Sequence, residues 1–193
     1  MRRTFSLFTA ERTLEDQTAS VTALAFSPTG KYLVSGSDDG SIIVWEPLTG
    51  TLQCRTVFKS GILSLTWHPA KLNHLFVGCQ NGTLAIMDDL KTKESCNSVL
   101  TGVKASIFAL AVDEYSGNLS IAVGSEIHIA KEVSEGKYAT FKILPPPCKL
   151  LNATQQTDQK VRGQSLAFKD MGSKLVATYL CHGVVYVLFC CTF

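Results

Sequence analysis

Val21-Thr-Ala-Leu-Ala-Phe-Ser-Pro28 and Ile62-Leu-Ser-Leu-Thr-Trp-His-Pro69 are two copies of one short pattern. Apolar residues stand at the first, fourth and sixth places of both, and Pro at the eighth. Each leads into a second stretch. The first is Tyr32-Leu-Val-Ser-Gly-Ser-Asp-Asp-Gly-Ser-Ile-Ile-Val-Trp45, and the second is His74-Leu-Phe-Val-Gly-Cys-Gln-Asn-Gly-Thr-Leu-Ala-Ile-Met87. These stretches align without a gap. In both, two apolar runs of strand length flank Asp-Gly or Asn-Gly, the dipeptides that accept the positive φ of a tight hairpin.

Two weaker copies follow. Ile107-Phe-Ala-Leu-Ala-Val112 repeats the opening run, and Leu119 to Ala130 reads as its hairpin. Gln164-Ser-Leu-Ala-Phe168 repeats it again, with Lys174 to Leu188 as the next hairpin. The equivalent residues Phe26, Trp67, Val112 and Phe168 are 41, 45 and 56 positions apart. The last interval is lengthened by an insertion at 145–162 that begins Pro-Pro-Pro-Cys. Short strands, Gly-bearing turns and a unit near 40 residues define an all-β repeat array. The copies fall near 21–58, 62–100, 107–144 and 164–190 of a single domain spanning 1–193, with an outer strand expected over about 4–14. One four-stranded unit cannot bury both faces alone, so such units stack.

The first copy resembles the WD-repeat β-propeller family. The resemblance rests on Ser35-Gly-Ser-Asp-Asp-Gly40 and on Trp45-Glu46, where the family has Trp-Asp. The second copy carries Met87-Asp88 at that place, and the chain is identified as a divergent member over residues 15–190. The resemblance implies a hydrogen-bonded tetrad of His, Ser or Thr, Asp and Trp. In the first copy Ser35, Asp39 and Trp45 hold three of its places, and Gln17 stands where the His is expected. Asn81 and Met87 replace Asp and Trp in the second, while Thr178 and His182 take two places in the fourth. Four copies make either a small closed ring or an open piece of a larger propeller. The apolar ending Leu188-Phe-Cys-Cys-Thr-Phe193 favours the open array. An open array leaves strand edges able to self-associate.

Composition sets the function classes. Of 193 residues, 46% are hydrophobic and 18% charged, with 18 Lys and Arg against 16 Asp and Glu, a net charge of +2. That balance excludes a strongly basic nucleic-acid arm and a highly charged disordered tail. The seven cysteines include no Cys-x-x-Cys pair, so no zinc site is expected, and they read as buried thiols of a reducing compartment. Met1 to Leu14 lacks the apolar run of a signal peptide. The sequons at Asn81, Asn118 and Asn152 therefore read as turn chemistry or chance. Leu175 to Phe193 has no charged residue, but His182-Gly183 and the β-branched residues around them fit two strands, not a membrane helix.

No Gly-x-Ser-x-Gly elbow, phosphate loop or His-Glu-x-x-His is present, and the four His are scattered. His128, between Ile127 and Ile129, is expected to point away from the apolar side. Asp38-Asp39-Gly40 reads as turn chemistry, not as a catalytic or metal site. The expectation is a non-enzymatic scaffold for protein partners, without cofactor or metal, cytoplasmic or nuclear. Its contact residues are expected in the loops before each first strand and in the tight hairpins: Asp38, Lys59, Gln80, Asn81, Lys104 and His182. The alternative is a truncated propeller product without independent function; an enzyme or a membrane-associated protein ranks below both.

Overall fold

The computed structural model describes residues 12–88, 96–100, 104–146, 162–180 and 183–188, with 96–100 and 183–188 given by their backbone path alone. Most of the expected outer strand at 4–14 and of the insertion at 145–162 lies outside these residues.

The described residues form four antiparallel sheets, each a meander in chain order. The first contains β1 (Val21–Phe26), β2 (Leu33–Ser37), β3 (Ser41–Glu46) and β4 (Thr51–Val57). The second contains β5 (Ile62–Trp67), β6 (Leu75–Cys79), β7 (Thr83–Met87) and β8 (Cys96–Leu100). The third contains β9 (Ile107–Val112), β10 (Leu119–Val123), β11 (Glu126–Ser134) and β12 (Lys137–Leu144). The fourth contains β13 (Gly163–Lys169), β14 (Lys174–Tyr179) and β15 (Gly183–Leu188). Register repeats with the sequence. Phe26 pairs with Leu33 and that with Trp45; Trp67 pairs with Leu75 and that with Met87. Val112 pairs with Leu119 and that with Ala130; Phe168 pairs with Leu175 and that with Val187. In every copy the residue after the first of the opening strand (Thr22, Leu63, Phe108, Gln164) is skipped by the ladder. This recurring bulge adds twist at the innermost strand.

The sheets stack as blades, each on the next, with β1, β5, β9 and β13 as neighbours along the inner side. Three apolar layers lie between them. Val34, Ile42 and Val44 meet Ile62, Trp67 and Val77 in the first. Phe76, Leu84 and Ile86 meet Ile107, Leu119 and Ile121 in the second, and Ala109, Ala122 and Ile127 meet Leu166, Leu175 and Ala177 in the third. Middle strands are covered on both faces, so every residue of β6 and β10 is buried, Ser120 among them. Each layer closes through one residue without a Cβ. A methyl group added at Gly36 would stand 2.6 Å from Ile62 Cγ2, and Gly78 gives the same room to Ile107. At the third layer the roles reverse: a Cβ on Gly163 would stand 2.8 Å from Ala122 Cβ. On the face of the first blade turned away from the second, β1 exposes Val21, Leu24 and Phe26, while Ser35, Ile43 and Trp45 on the same face are buried.

Two expectations are corrected. His128 does not point away into solvent. It is buried with its neighbours, because β11 is a middle strand covered on both faces, and its Nε2 lies 3.3 Å from Glu126 Oε2. Thr178 does not occupy the place of Ser35. The ladder sets Ser165 against Thr178 as it sets Ala23 against Gly36, so Thr178 takes the place of Gly36 on the opposite face.

Candidate protein-binding rim

One end of the stack carries the loops in which contact residues are expected. Each opening strand begins just after a residue whose carbonyl accepts the amide following the second strand. The four bonds are Asp38 N to Ser20 O (3.0 Å), Gln80 N to Gly61 O (2.9 Å), Gly124 N to Ser106 O (2.9 Å) and Leu180 N to Arg162 O (3.0 Å). Further bonds tie one blade to the next. Ser106 Oγ donates to Gln80 O (2.7 Å) and Gly163 N to Gly124 O (2.9 Å). Nearer the middle of the strands, Ser64 Oγ donates to Ile107 O (3.2 Å). The loops are therefore braced both within and between blades.

Asp38, Lys59, Gln80, Asn81 and Lys104 all come to this end, and all five are exposed. They are not equally available. Asn81 Oδ1 accepts Thr83 N at 3.0 Å, and Asn81 N donates to Ser60 Oγ at 3.1 Å, so this residue holds its own turn. Lys59 and Lys104 sit in the loops that precede β5 and β9. His182 lies outside the described residues. The sequence reading missed Arg162, whose guanidinium stands 5.2 Å from the centre of the Phe108 ring. Its signal was position: Arg162 aligns with Ser20, Gly61 and Ser106, immediately before an opening strand.

In the first blade Trp45 Nε1 donates to Ser35 Oγ at 2.9 Å. Gln17 reaches the same serine through its backbone, Nε2 donating to Ser35 O at 3.3 Å. Asp39 is engaged elsewhere. Its carboxylate accepts Thr18 N and Thr18 Oγ1, both at 2.8 Å, and Ser41 N at 2.7 Å. The adjacent Ser41 hydroxyl, poorly directed as a hydrogen bond yet close enough to favour the anion, acts with these donors. Together they outweigh partial burial and hold Asp39 far below the usual carboxylate range. A carboxylate so placed is a loop brace with little basicity left for proton transfer.

The opposite end holds a second polar group between the second and third blades. His68 Nδ1 accepts the amides of Ala70 and Lys71, both at 3.1 Å, which places the ring proton on Nε2. Burial, with Lys71 and His74 nearby, keeps His68 below its ordinary value. Lys71 Nζ donates to Glu132 Oε1, which also accepts Gly136 N at 3.0 Å. Burial works to raise Glu132, but those two donors outweigh it and hold the carboxyl low. Tyr138 OH is buried without a hydrogen-bond partner and its ring stacks edge-on against Phe76, 5.2 Å between centroids. Burial first, then Glu132 and Asp88, push this phenol up to about 12. His74 Nδ1 lies 3.0 Å from Asp88 Oδ1, off the direction of a hydrogen bond. A cleft of about 660 Å³ opens nearby between the third and fourth blades, walled by Leu110, Val112, Tyr115, Phe168, Lys169 and Met171. Among the described residues no three His, Cys, Asp or Glu converge as metal ligands. No helix among them is long and apolar enough to cross a membrane.

The family described as "WD domain, G-beta repeat" matches residues 8–46, which take in β1 to β3 of the first blade and the segment leading into them. A solved structure, the β-propeller domain of Cps50 (Swd1) from Myceliophteria thermophila, superposes with a TM-score of 0.71 over 92% of this chain and 54% of that one, at 13% identity. Residues 8–46 thus match a WD repeat, and the superposition shows a β-propeller fold. Curated relatives are similar over short spans. Ribosome biogenesis protein bop1-B from Xenopus laevis is 32% identical over 68 residues, which is 35% of this chain and 9% of that protein. Retinoblastoma-binding-like protein E from Dictyostelium discoideum is 31% identical over 83 residues, 43% of this chain and 16% of that protein. The chain thus spans under a fifth of the length of either relative in these matches. WD-repeat propellers are in general scaffolds for protein contacts.

Proposed function

We propose that this chain is a non-enzymatic WD-repeat scaffold whose braced rim, through Asp38, Lys59, Gln80, Asn81 and Lys104, contacts a protein partner without a cofactor. One observation carries the reading. Residues up to 66 positions apart reach one end of the stack, on loops that the same backbone bond fixes in all four blades. A pre-braced surface loses little conformational freedom on binding, which favours affinity. Arg162 extends the surface beside Phe108 and supplies a cation of the kind enriched at interface centres. The names of relatives, ribosome biogenesis among them, favour the nuclear side of the cytoplasmic-or-nuclear expectation.

The test is site-specific photo-crosslinking in cells. A photoreactive residue is placed at Lys59, at Lys104, or at Lys131, which is exposed on β11 and serves as a control. A discrete polypeptide adduct from the two rim positions, absent from Lys131, supports the reading. The same adduct from Lys131, or no discrete adduct from either rim position, overturns it.

A further inference from the structure

Cations recur at matched places on the rim. Lys59 stands three residues before Ile62 and Lys104 three before Ile107. Lys160 holds the same place before Gly163, outside the described residues, and Arg162 directly precedes that glycine. Lys59, Lys104 and Arg162 are exposed, and none of them forms an ion pair among the described residues. Their backbone is held. Phe58 N donates to Gly40 O at 2.8 Å and Ser60 Oγ accepts Asn81 N, so Lys59 lies between two fixed neighbours. Ser106 Oγ ties the loop of Lys104 to Gln80 O, and the Arg162 carbonyl accepts Leu180 N. Acids are distributed the other way. In the first blade Thr18 takes the place of Lys59 and donates to Asp39, with Asp38 exposed next to it. Over the second to fourth blades the described rim carries one carboxylate, Glu126, whose Oε2 lies 3.3 Å from His128 Nε2. The rim is thus anionic on the first blade and cationic on the next three.

We infer that the rim of the second to fourth blades binds an extended acidic peptide segment whose carboxylates are taken by Lys59, Lys104 and Arg162. This rests on the reading of the rim as a protein-binding surface and names the chemistry of the partner. The fold sets the spacing. The opening strands β5, β9 and β13 are neighbours, and packed sheets lie about 10 Å apart. In a polyproline II segment every third side chain lies on one side, about 9 Å further on. Carboxylates at every third place therefore meet successive cations. Arg162 offers the planar fork that takes a carboxylate through two parallel bonds, and the Phe108 ring beneath it steadies the guanidinium. The acidic run stops short of the first blade, where Asp38 repels it. A nucleic acid fits this surface less well, because the ring nearest the cations, Phe108, already carries Arg162 and leaves a base no platform there.

The probe is a fluorescein-labelled Gly-Ser peptide with Glu at every third place, titrated with the full chain and followed by fluorescence anisotropy. Circular dichroism confirms that each variant is folded. The Glu peptide should bind about tenfold or more tightly than the same peptide with Gln, and added salt should weaken it. Lys59→Gln, Lys104→Gln and Arg162→Gln together should bring its binding down to that of the Gln peptide, while Lys131→Gln leaves it unchanged. Equal binding of the two peptides, or Glu binding untouched by the triple variant, overturns the inference. So does a mixed-sequence single-stranded RNA that binds more tightly than the Glu peptide and displaces it, because the rim would then be a nucleic-acid surface. Crosslinking in cells separates this inference from the scaffold reading. With the photoreactive residue at Lys104, adding Lys59→Gln and Arg162→Gln should abolish the adduct. An adduct that persists at full yield overturns the acidic partner and leaves the scaffold standing.

Discussion

The contact between Gly36 and Ile62 makes a quantitative test of how the blades are joined. Gly36→Ala adds one methyl group, 2.6 Å from Ile62 Cγ2, 3.1 Å from Ile62 Cβ and 3.2 Å from Leu65 Cδ1. All three atoms belong to packed side chains between two sheets, so the methyl cannot be met by solvent-side adjustment. Overpacking of this kind costs about 1–3 kcal/mol. Ile62→Ala removes Cγ1, Cγ2 and Cδ1 from a fully buried position and costs about 2–5 kcal/mol by itself. The two changes share one volume, so the double variant should lose less than the sum of the singles by most of that overpacking cost, about 1–2 kcal/mol, since the contacts to Cβ of residue 62 and to Leu65 Cδ1 remain. Urea unfolding followed through Trp67, which packs in the same layer, measures all four corners of the cycle. Additive losses, or a Gly36→Ala chain as stable as wild type, would show that the missing Cβ is not what joins the sheets.

Three other outcomes follow from the polar groups. Tyr138→Phe removes a buried hydroxyl that has no partner, so thermal unfolding should find the variant unchanged or stabilised by up to about 1 kcal/mol; a clear loss would mean the hydroxyl is bonded. His68 is neutral in the fold and is held below its ordinary value, so its contribution is complete above about pH 6.5 and is lost as pH falls below that. Melting curves between about pH 5 and 8 should show wild type losing stability toward acid, and His68→Asn should flatten that decline. Asp39 is likewise held low, so its bonds to Thr18 and Ser41 stabilise at neutral pH and fade only as pH falls below about 4. Asp39→Ala should cost about 1–2 kcal/mol at pH 7, discounted for its partial exposure, and the gap to wild type should close in acid.

The hairpins were legible because side-chain alternation and turn chemistry agree in them. The gapless match of Tyr32–Trp45 to His74–Met87 reappears as identical ladders ending at Trp45 and Met87. Legibility failed where residue type is put ahead of register. Thr178 offers a hydroxyl one residue beyond Ala177, which the ladder sets at the place of Ser35, and one residue reverses the face. His128 misled for another reason: alternation tells an inner from an outer side only when one side meets water, and β11 has no such side. The loop end was legible as a set of loops, since Asp38, Lys59, Gln80, Asn81 and Lys104 all stand at turns. The bracing bonds were not, because they run between backbone atoms. The group formed by His68, Lys71, Glu132 and Tyr138 joins residues more than 60 positions apart across two blades, and nothing in either local pattern requires it.

The reversal at the third layer has a consequence for how such a chain can change over evolutionary time. Two layers close with glycine on the leading blade and isoleucine on the following one, and the third closes with alanine leading and glycine following. These are two different locks. A recombination that set the fourth repeat directly behind the second would pair two glycines and leave a void, and one that set the second behind the third would press isoleucine against alanine. Repeats that look interchangeable at the level of their motif are therefore fixed in order, and each new duplication has to bring its matching half along.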